Sequence, residues 1–245
     1  MRKRIASITK KNSVFKWRSH EPSRLETFSD AVFAFAITLI IVSLEVPHTF
    51  DELFEVFKGF FSFAACFLIV FLIWNNQNIY FRRYGLNNAY VTFLNAALMF
   101  VVLMYVYPLK FLFVLLFSQG VYKEHGHLIN MIRDEQQPTL MYVYHAGYAT
   151  IYALFLLMYL HAKKKAKEIE LSVAELFETD SFIIINGLNA GLGILGILLV
   201  FFLPTEDKGS TGLVYMLIPV MYSILFSVRG RKSRKLFGEI IEKPS

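Results

Sequence analysis

Asp30 sits near the start of an otherwise apolar run that extends from about Leu25 to Val46. An ionisable side chain inside such a run is costly and generally faces protein or water, so Asp30 reads as functional or architectural. The same end carries Arg24, Glu26, Phe28 and Ser29, and the polar end of the next apolar run, with Trp74, Asn75, Asn76 and Gln77, lies at the same depth. An interhelical hydrogen-bond network around Asp30 is the chemistry this arrangement predicts. Further along, Ala31, Phe35, Thr38, Val42 and Glu45 recur at spacings of four, three, four and three, which places them on one face of a helix. Repeated around an axis by several copies of that helix, Phe35 and Val42 would form apolar constrictions that gate by dewetting. Thr38 would form a ring of oxygen ligands, and Glu45 would attract cations at the outer mouth. The same stripe would equally serve to pack the helix against a single neighbour, because heptad stripes are common in bundles.

Signatures of soluble enzymes are missing from the sequence: it has no nucleophile elbow, phosphate loop, zinc-ligand spacing or dinucleotide fingerprint. No catalysis and no cofactor are therefore expected. His125 and His127 are two apart in a loop, a weak metal hint, and His145 lies inside an apolar run, where it reads as a satisfied packing residue. Cys66 is the single cysteine, so no disulfide forms within the chain. Gly187 and Gly191 form a small-xxx-small pair, which predicts close backbone approach, either within the chain or between copies.

The elements that must carry these residues follow from composition. With 56% hydrophobic residues and a mean hydropathy of +0.47, the chain lies outside the range of soluble domains, and its solvent is lipid. Six runs are long enough to cross about 30 Å of hydrocarbon as helices. They extend approximately from Leu25 to Val46, Phe54 to Asn76, Ala89 to Phe117, Thr139 to Leu160, Ser181 to Leu203 and Gly212 to Val228. Pro108 and Lys110 predict a kink or break in the third. The first run is too long for a signal peptide and is expected to be retained.

Basic residues assign the sides. Clusters precede the first run, follow the second at Arg82 and Arg83, follow the fourth from Lys163 to Lys167, and follow the sixth from Arg229 to Lys235. By the positive-inside rule these four segments, and so both termini, are cytoplasmic, while the more acidic loops lie outside. The expected organisation is a basic arm over residues 1–24, a six-helix membrane domain over 25–228 and a basic tail over 229–245. The net charge of +6 belongs to these flanks, which read as topology signals and contacts for anionic lipid; no nucleic-acid partner is expected.

The motif Arg24-x-x-x-Phe28-Ser29-Asp30 resembles the signature of the transmembrane protein 175 family, potassium channels of organelle membranes in animals and of the plasma membrane in prokaryotes. Ala31-Val32-Phe33-Ala34, Ala36-Ile37-Thr38-Leu39 and Pro47 are similar to the rest of the family's first helix, and Trp74, Leu94-Asn95 and Pro108 to features of its second and third. Six spans in one chain resemble the prokaryotic, single-repeat members. The resemblance implies an all-α integral membrane protein that assembles as a symmetric tetramer around the first helix, without a TVGYG filter. It implies passive, potassium-favouring flow, with Thr38 at the threonine layer linked to potassium preference and Leu39 and Val42 among the apolar pore positions beside Phe35. Arg24, Phe28, Ser29 and Asp30, with Trp74, would be structural. Phe35 departs from the isoleucine or leucine usual at the constriction, and Gln77 stands near where a histidine commonly follows the tryptophan. The expected partners are K+, membrane lipids and further copies of the chain, in the plasma membrane of a prokaryote. Two other readings are a secondary transporter that uses Asp30 as a coupling carboxylate and a non-conducting structural subunit.

Overall fold

The computed structural model describes residues 15–19, 21–42, 48–50, 54, 59–124 and 127–241, without the side chains of 41–42, 122–128, 205–206 and 237–241. Among these residues six long helices follow one another: α1 (Arg24–Val42), α2 (Phe60–Tyr84), α3 (Ala89–Phe117), α4 (Gln137–Lys164), α5 (Val173–Phe202) and α6 (Leu217–Ile241). The last five belong to segments long and apolar enough to cross a membrane, and the protein is an integral membrane protein. Large side chains such as Phe93, Phe100, Phe201 and Phe202 lie exposed on the outside of the bundle, where a soluble protein would present polar groups.

Local chemistry sets several helix ends. Ser23 and Glu26 form a capping box at the start of α1: the Glu26 amide donates to Ser23 Oγ (3.2 Å), and the Ser23 amide donates to the Glu26 carboxylate (3.0 Å). Ser172 and Glu175 repeat the device at α5. Gly85 ends α2 at a φ of +60°, a left-handed position that suits glycine, and its amide bonds back to the Phe81 carbonyl.

Three expectations are refined. Of the kink or break expected at Pro108, the break does not occur: α3 is one helix from Ala89 to Phe117. Proline removes one backbone bond, a loss that neighbouring helices can absorb in membrane bundles. Lys110 reaches sideways and donates to the Ile40 carbonyl (2.9 Å), one of the orphan acceptors near the C-terminal end of α1. The second is a short two-stranded antiparallel hairpin, β1 (Val121–Glu124) and β2 (His127–Asn130), between α3 and α4, an addition to an otherwise helical fold of the expected class. Third, the sixth span does not begin as an α-helix at Gly212: residues Thr205–Met216 form a 3₁₀ segment. There Ser210 Oγ donates to the Asp207 carbonyl and Thr211 Oγ1 to the Lys208 carbonyl, while His145 and Tyr215 hold the segment against α4.

The interior is aromatic around α2 and α4. Tyr80, Tyr84 and Tyr159 are fully buried, Tyr80 meets Tyr159 edge to face at 5.3 Å, and Phe182 of α5 stacks on Tyr159 at 5.1 Å. α4 and α5 form the most extensive helix pair. Within the chain, the close approach on α5 lies at Gly193 and Gly196 and not at Gly187 and Gly191. A Cβ at Gly193 would lie 2.7 Å from that of Ala149, and one at Gly196 would overlap the His145 ring, whereas nothing lies within 4 Å of Gly191.

Candidate functional site

α1 has two faces. Glu26, Ser29, Phe33, Ala36 and Ile40 recur at spacings of three, four, three and four and are buried against α2 and α3. On the opposite side Thr27, Phe28, Ala31, Ala34, Phe35 and Thr38 are exposed. The expected stripe of Ala31, Phe35 and Thr38 is therefore brought together on one uncovered face, and Leu39 lies half-buried at its flank. Val42 is the last helical residue; its side chain, and Glu45 as a whole, lie outside the described residues.

Thr38 has a defined hydroxyl direction. Its Oγ1 donates to the Ala34 carbonyl one turn back (2.9 Å), which uses its single proton. A hydroxyl oxygen has two lone pairs besides that proton, so Thr38 presents an acceptor to the uncovered side. One such oxygen cannot replace a cation's hydration shell, but a ring of them from several chains contributes ligands.

The polar end of α1 is organised into two separate contacts. Asp30 accepts a hydrogen bond from the Trp74 indole N–H (2.7 Å), which pins the charged end of α1 to α2. Ser29 belongs to a buried relay: Gln77 Nε2 donates to Asn95 Oδ1 (2.8 Å), Asn95 Nδ2 donates to Ser29 Oγ (2.8 Å), and Ser29 Oγ donates to the Leu25 carbonyl (2.8 Å). The three bonds run in one direction, from Gln77 through Asn95 and Ser29 to the Leu25 carbonyl. The network expected from Trp74, Asn75, Asn76 and Gln77 is thus divided, with Trp74 on Asp30 and Gln77 on Ser29 through Asn95. Arg24 and Phe28 point away from their own bundle, and Arg24 has no partner among the described residues.

Sequence reasoning missed the residue that clamps the chain's approach to α1. Arg18 donates to both Glu175 oxygens (2.9 and 3.0 Å) and to the carbonyls of Ile169 and Glu170, and its guanidinium also meets those of Lys16 and Arg83. The Ser-x-x-Glu pattern at Ser172 was a visible signal for Glu175 as a capping residue, but not for its partner. His145 is held between two neighbours. Its Nε2 lies 3.0 Å from Thr211 Oγ1 and its Nδ1 2.8 Å from the Tyr215 hydroxyl. No group of three metal-ligating side chains occurs among the described residues, and His125 lies outside them.

Comparison with known proteins agrees with this architecture. Residues 24–108 match the family described as endosomal/lysosomal potassium channel TMEM175. A potassium channel of Marivirga tractuosa is 35% identical over 254 residues, covering 98% of this chain and the whole of the relative. A potassium channel of Streptomyces collinus is 30% identical over 89 residues, 34% of this chain and 43% of its own. The crystal structure of the T38A variant of the potassium channel MtTMEM175, in complex with a Nanobody-MBP fusion protein, superposes with a TM-score of 0.76 at 32% identity. It covers 91% of this chain and 98% of that one. A lysosomal potassium-selective channel TMEM175 homolog from Chamaesiphon minutus shares the fold, with a TM-score of 0.54 at 19% identity over 84% and 99% of the two chains.

Proposed function

Because the chain belongs to the TMEM175 family of potassium channels, which are not enzymes, we propose that it conducts K+ passively through a symmetric tetramer whose axis is lined by α1. The observation that carries this reading is the character of the uncovered face of α1. A helix side that meets lipid is dominated by large apolar residues, as on α2 with Phe67, Phe71 and Leu72. The open side of α1 instead alternates Thr27, Ala31, Ala34 and Thr38 with Phe28 and Phe35. Small and hydroxylated residues favour close approach of other helices over lipid.

In this arrangement Thr38 supplies the oxygen layer that favours K+, Phe35, Leu39 and Val42 narrow the path with apolar rings, and Glu45 concentrates cations at the outer mouth. Arg24 and Phe28, open on the single chain, meet neighbouring subunits. Asp30, Ser29 and Trp74 hold the lining helix to its own bundle. That indole contact supports a positioning role for the Asp30 carboxylate over a coupling one. The basic arm of residues 1–24 and the tail of residues 229–245 lie in the cytoplasm against anionic lipid, in the plasma membrane of a prokaryote.

The test is a flux assay on purified protein in liposomes, comparing K+ and Na+ gradients with a Thr38→Ala variant in parallel. Channel-like K+ flux is expected, with a lower K+ to Na+ permeability ratio in the variant; a tenfold drop corresponds to about 1.4 kcal/mol of discrimination. An unchanged ratio removes Thr38 from the filter. Absence of flux from folded protein, or flux locked to protons, refutes the channel reading.

A further inference from the structure

α6 rests mainly against α5 and the 3₁₀ segment, and it stands off from the rest of the bundle. Between α6 and helices α2 to α5 lies a cavity of about 860 Å³, within the range of pockets that hold small molecules. Its walls are apolar over most of their area, with Ile73, Leu109, Ile151, Phe155, Ile185 and Leu225. Towards the C-terminal half of α6, where the basic tail begins, it is lined by Arg229, Ser233 and Arg234, with Glu178 as the one carboxylate in its lining against two guanidiniums.

Two further observations point to an occupant. Arg229 fastens α6 to α5 by donating through Nε to Ser181 Oγ (2.9 Å) and through Nη2 to the Phe177 carbonyl (2.6 Å), with its guanidinium over the Phe177 ring. Among the described residues the remaining N–H groups of Arg229 make no hydrogen bond, and neither Arg229 nor Arg234 forms an ion pair. Asn186, only 1% exposed, lines the cavity: its Nδ2 donates to the Phe182 carbonyl, but its Oδ1 has no partner among the described residues. Neighbouring Asn189, by contrast, is satisfied by Tyr148 and Tyr222. A buried acceptor left unpaired beside an apolar chamber calls for a donor that enters with a ligand, such as a head-group hydroxyl or a water it carries.

We propose that this cavity is a binding site for one anionic phospholipid of the cytoplasmic leaflet, with the phosphate at Arg229 and Arg234 and an acyl chain between α5, α6 and α2. The leaflet rests on the orientation proposed above; the site itself does not. Charge complementarity selects the class. Two arginines at the membrane surface favour an anionic head group, and the long apolar chamber behind them fits a hydrocarbon chain better than a free phosphate or a nucleotide. A lipid held there ties α6 to the bundle that supports α1.

The test uses full-length protein purified in detergent, with native mass spectrometry of adducts formed with dioleoyl phosphatidylglycerol or dioleoyl phosphatidylcholine at equal concentration. One phosphatidylglycerol per chain is expected to survive delipidation, with a preference of roughly tenfold over phosphatidylcholine. Arg229→Gln together with Arg234→Gln should bring the two lipids near parity. Ile185→Trp, which obstructs the chamber, should sharply reduce retention while leaving the oligomer unchanged, and Arg234→Gln alone, which leaves the Arg229 fastening intact, should lower the preference for phosphatidylglycerol. Equal retention of both lipids by the wild-type chain, or undiminished retention in Ile185→Trp, overturns the site. Liposome flux measured on the same samples separates the two proposals. Retained lipid without K+ flux defeats the channel reading alone, and K+ flux without a retained lipid defeats only the site.

Discussion

Asn95 is the residue on which the attachment of α1 to its own bundle depends, and the cost of removing it follows from the relay. Asn95 is fully buried and bridges Gln77 on α2 to Ser29 on α1. Asn95→Ala deletes two interhelical hydrogen bonds, each worth about 0.6 kcal/mol on average inside membrane bundles. It also leaves the Gln77 amide, 1% exposed, without its acceptor, which adds about 1–3 kcal/mol. Ser29 keeps its own donation to Leu25 and loses only an incoming donor. The expected destabilisation is therefore about 2–4 kcal/mol. It is measured by reversible unfolding in mixed micelles, with Trp17 and Trp74 fluorescence as the probe. The mechanism has a second signature. In Gln77→Leu with Asn95→Leu both polar partners vanish together, so neither amide is orphaned, and the double variant should cost at least about 2 kcal/mol less than the sum of the singles, because each single leaves one buried amide unpaired. An Asn95→Ala variant within about 0.5 kcal/mol of wild type, or strictly additive costs in the cycle, would refute the relay as the support of α1.

Two other perturbations separate close packing from mere composition. Gly193→Ala would push a methyl into the Ala149 backbone, with contacts of 2.7–2.9 Å, so α4 and α5 must move apart; the expected cost is about 1–3 kcal/mol, read as a lowered thermal midpoint. Gly191→Ala meets nothing within 4 Å and should be neutral or stabilising by up to about 1 kcal/mol. Arg18→Gln leaves Glu175, 3% exposed, with only the Ser172 and Lys16 amides, and should cost about 3 kcal/mol. Arg18→Met combined with Glu175→Leu should recover most of that loss in the same melting assay, and a double variant as unstable as the single would show that the charge pair is not the cause.

What could be read from the sequence, and what could not, divides by distance along the chain. The helix starts at Ser23 and Ser172 are written locally as Ser-x-x-Glu, and the six apolar runs are long enough to be recognised one by one. Where a contact is set by a partner far away, local pattern stops helping. The Arg18 guanidinium finds Glu175 across 157 positions, and a basic residue before a span reads only as a topology signal. The 3₁₀ start of the sixth span depends on His145, about 66 residues earlier in the chain. A glycine pair reveals that α5 can approach a neighbour closely, but the rotation of α5 against α4 decides that Gly193 and Gly196 meet it and Gly191 does not.

The first helix shows the same division within a single element. Its sequence contains two seams of the same heptad period on opposite sides, one through Ala31, Phe35 and Thr38 and one through Ser29, Phe33, Ala36 and Ile40. Periodicity cannot rank them, because either would make a helix interface. The polar residues break the tie. Ser29 finds Asn95 and, through it, Gln77, so the second seam is the one its own bundle satisfies. Thr38 turns its proton back onto Ala34 and leaves its acceptor side open, which is costly against lipid and favourable beside a cation or another chain. The helix is thus held on one side by bonds that close within the chain and presents on the other an exposed hydroxyl whose single proton is already spent within the helix.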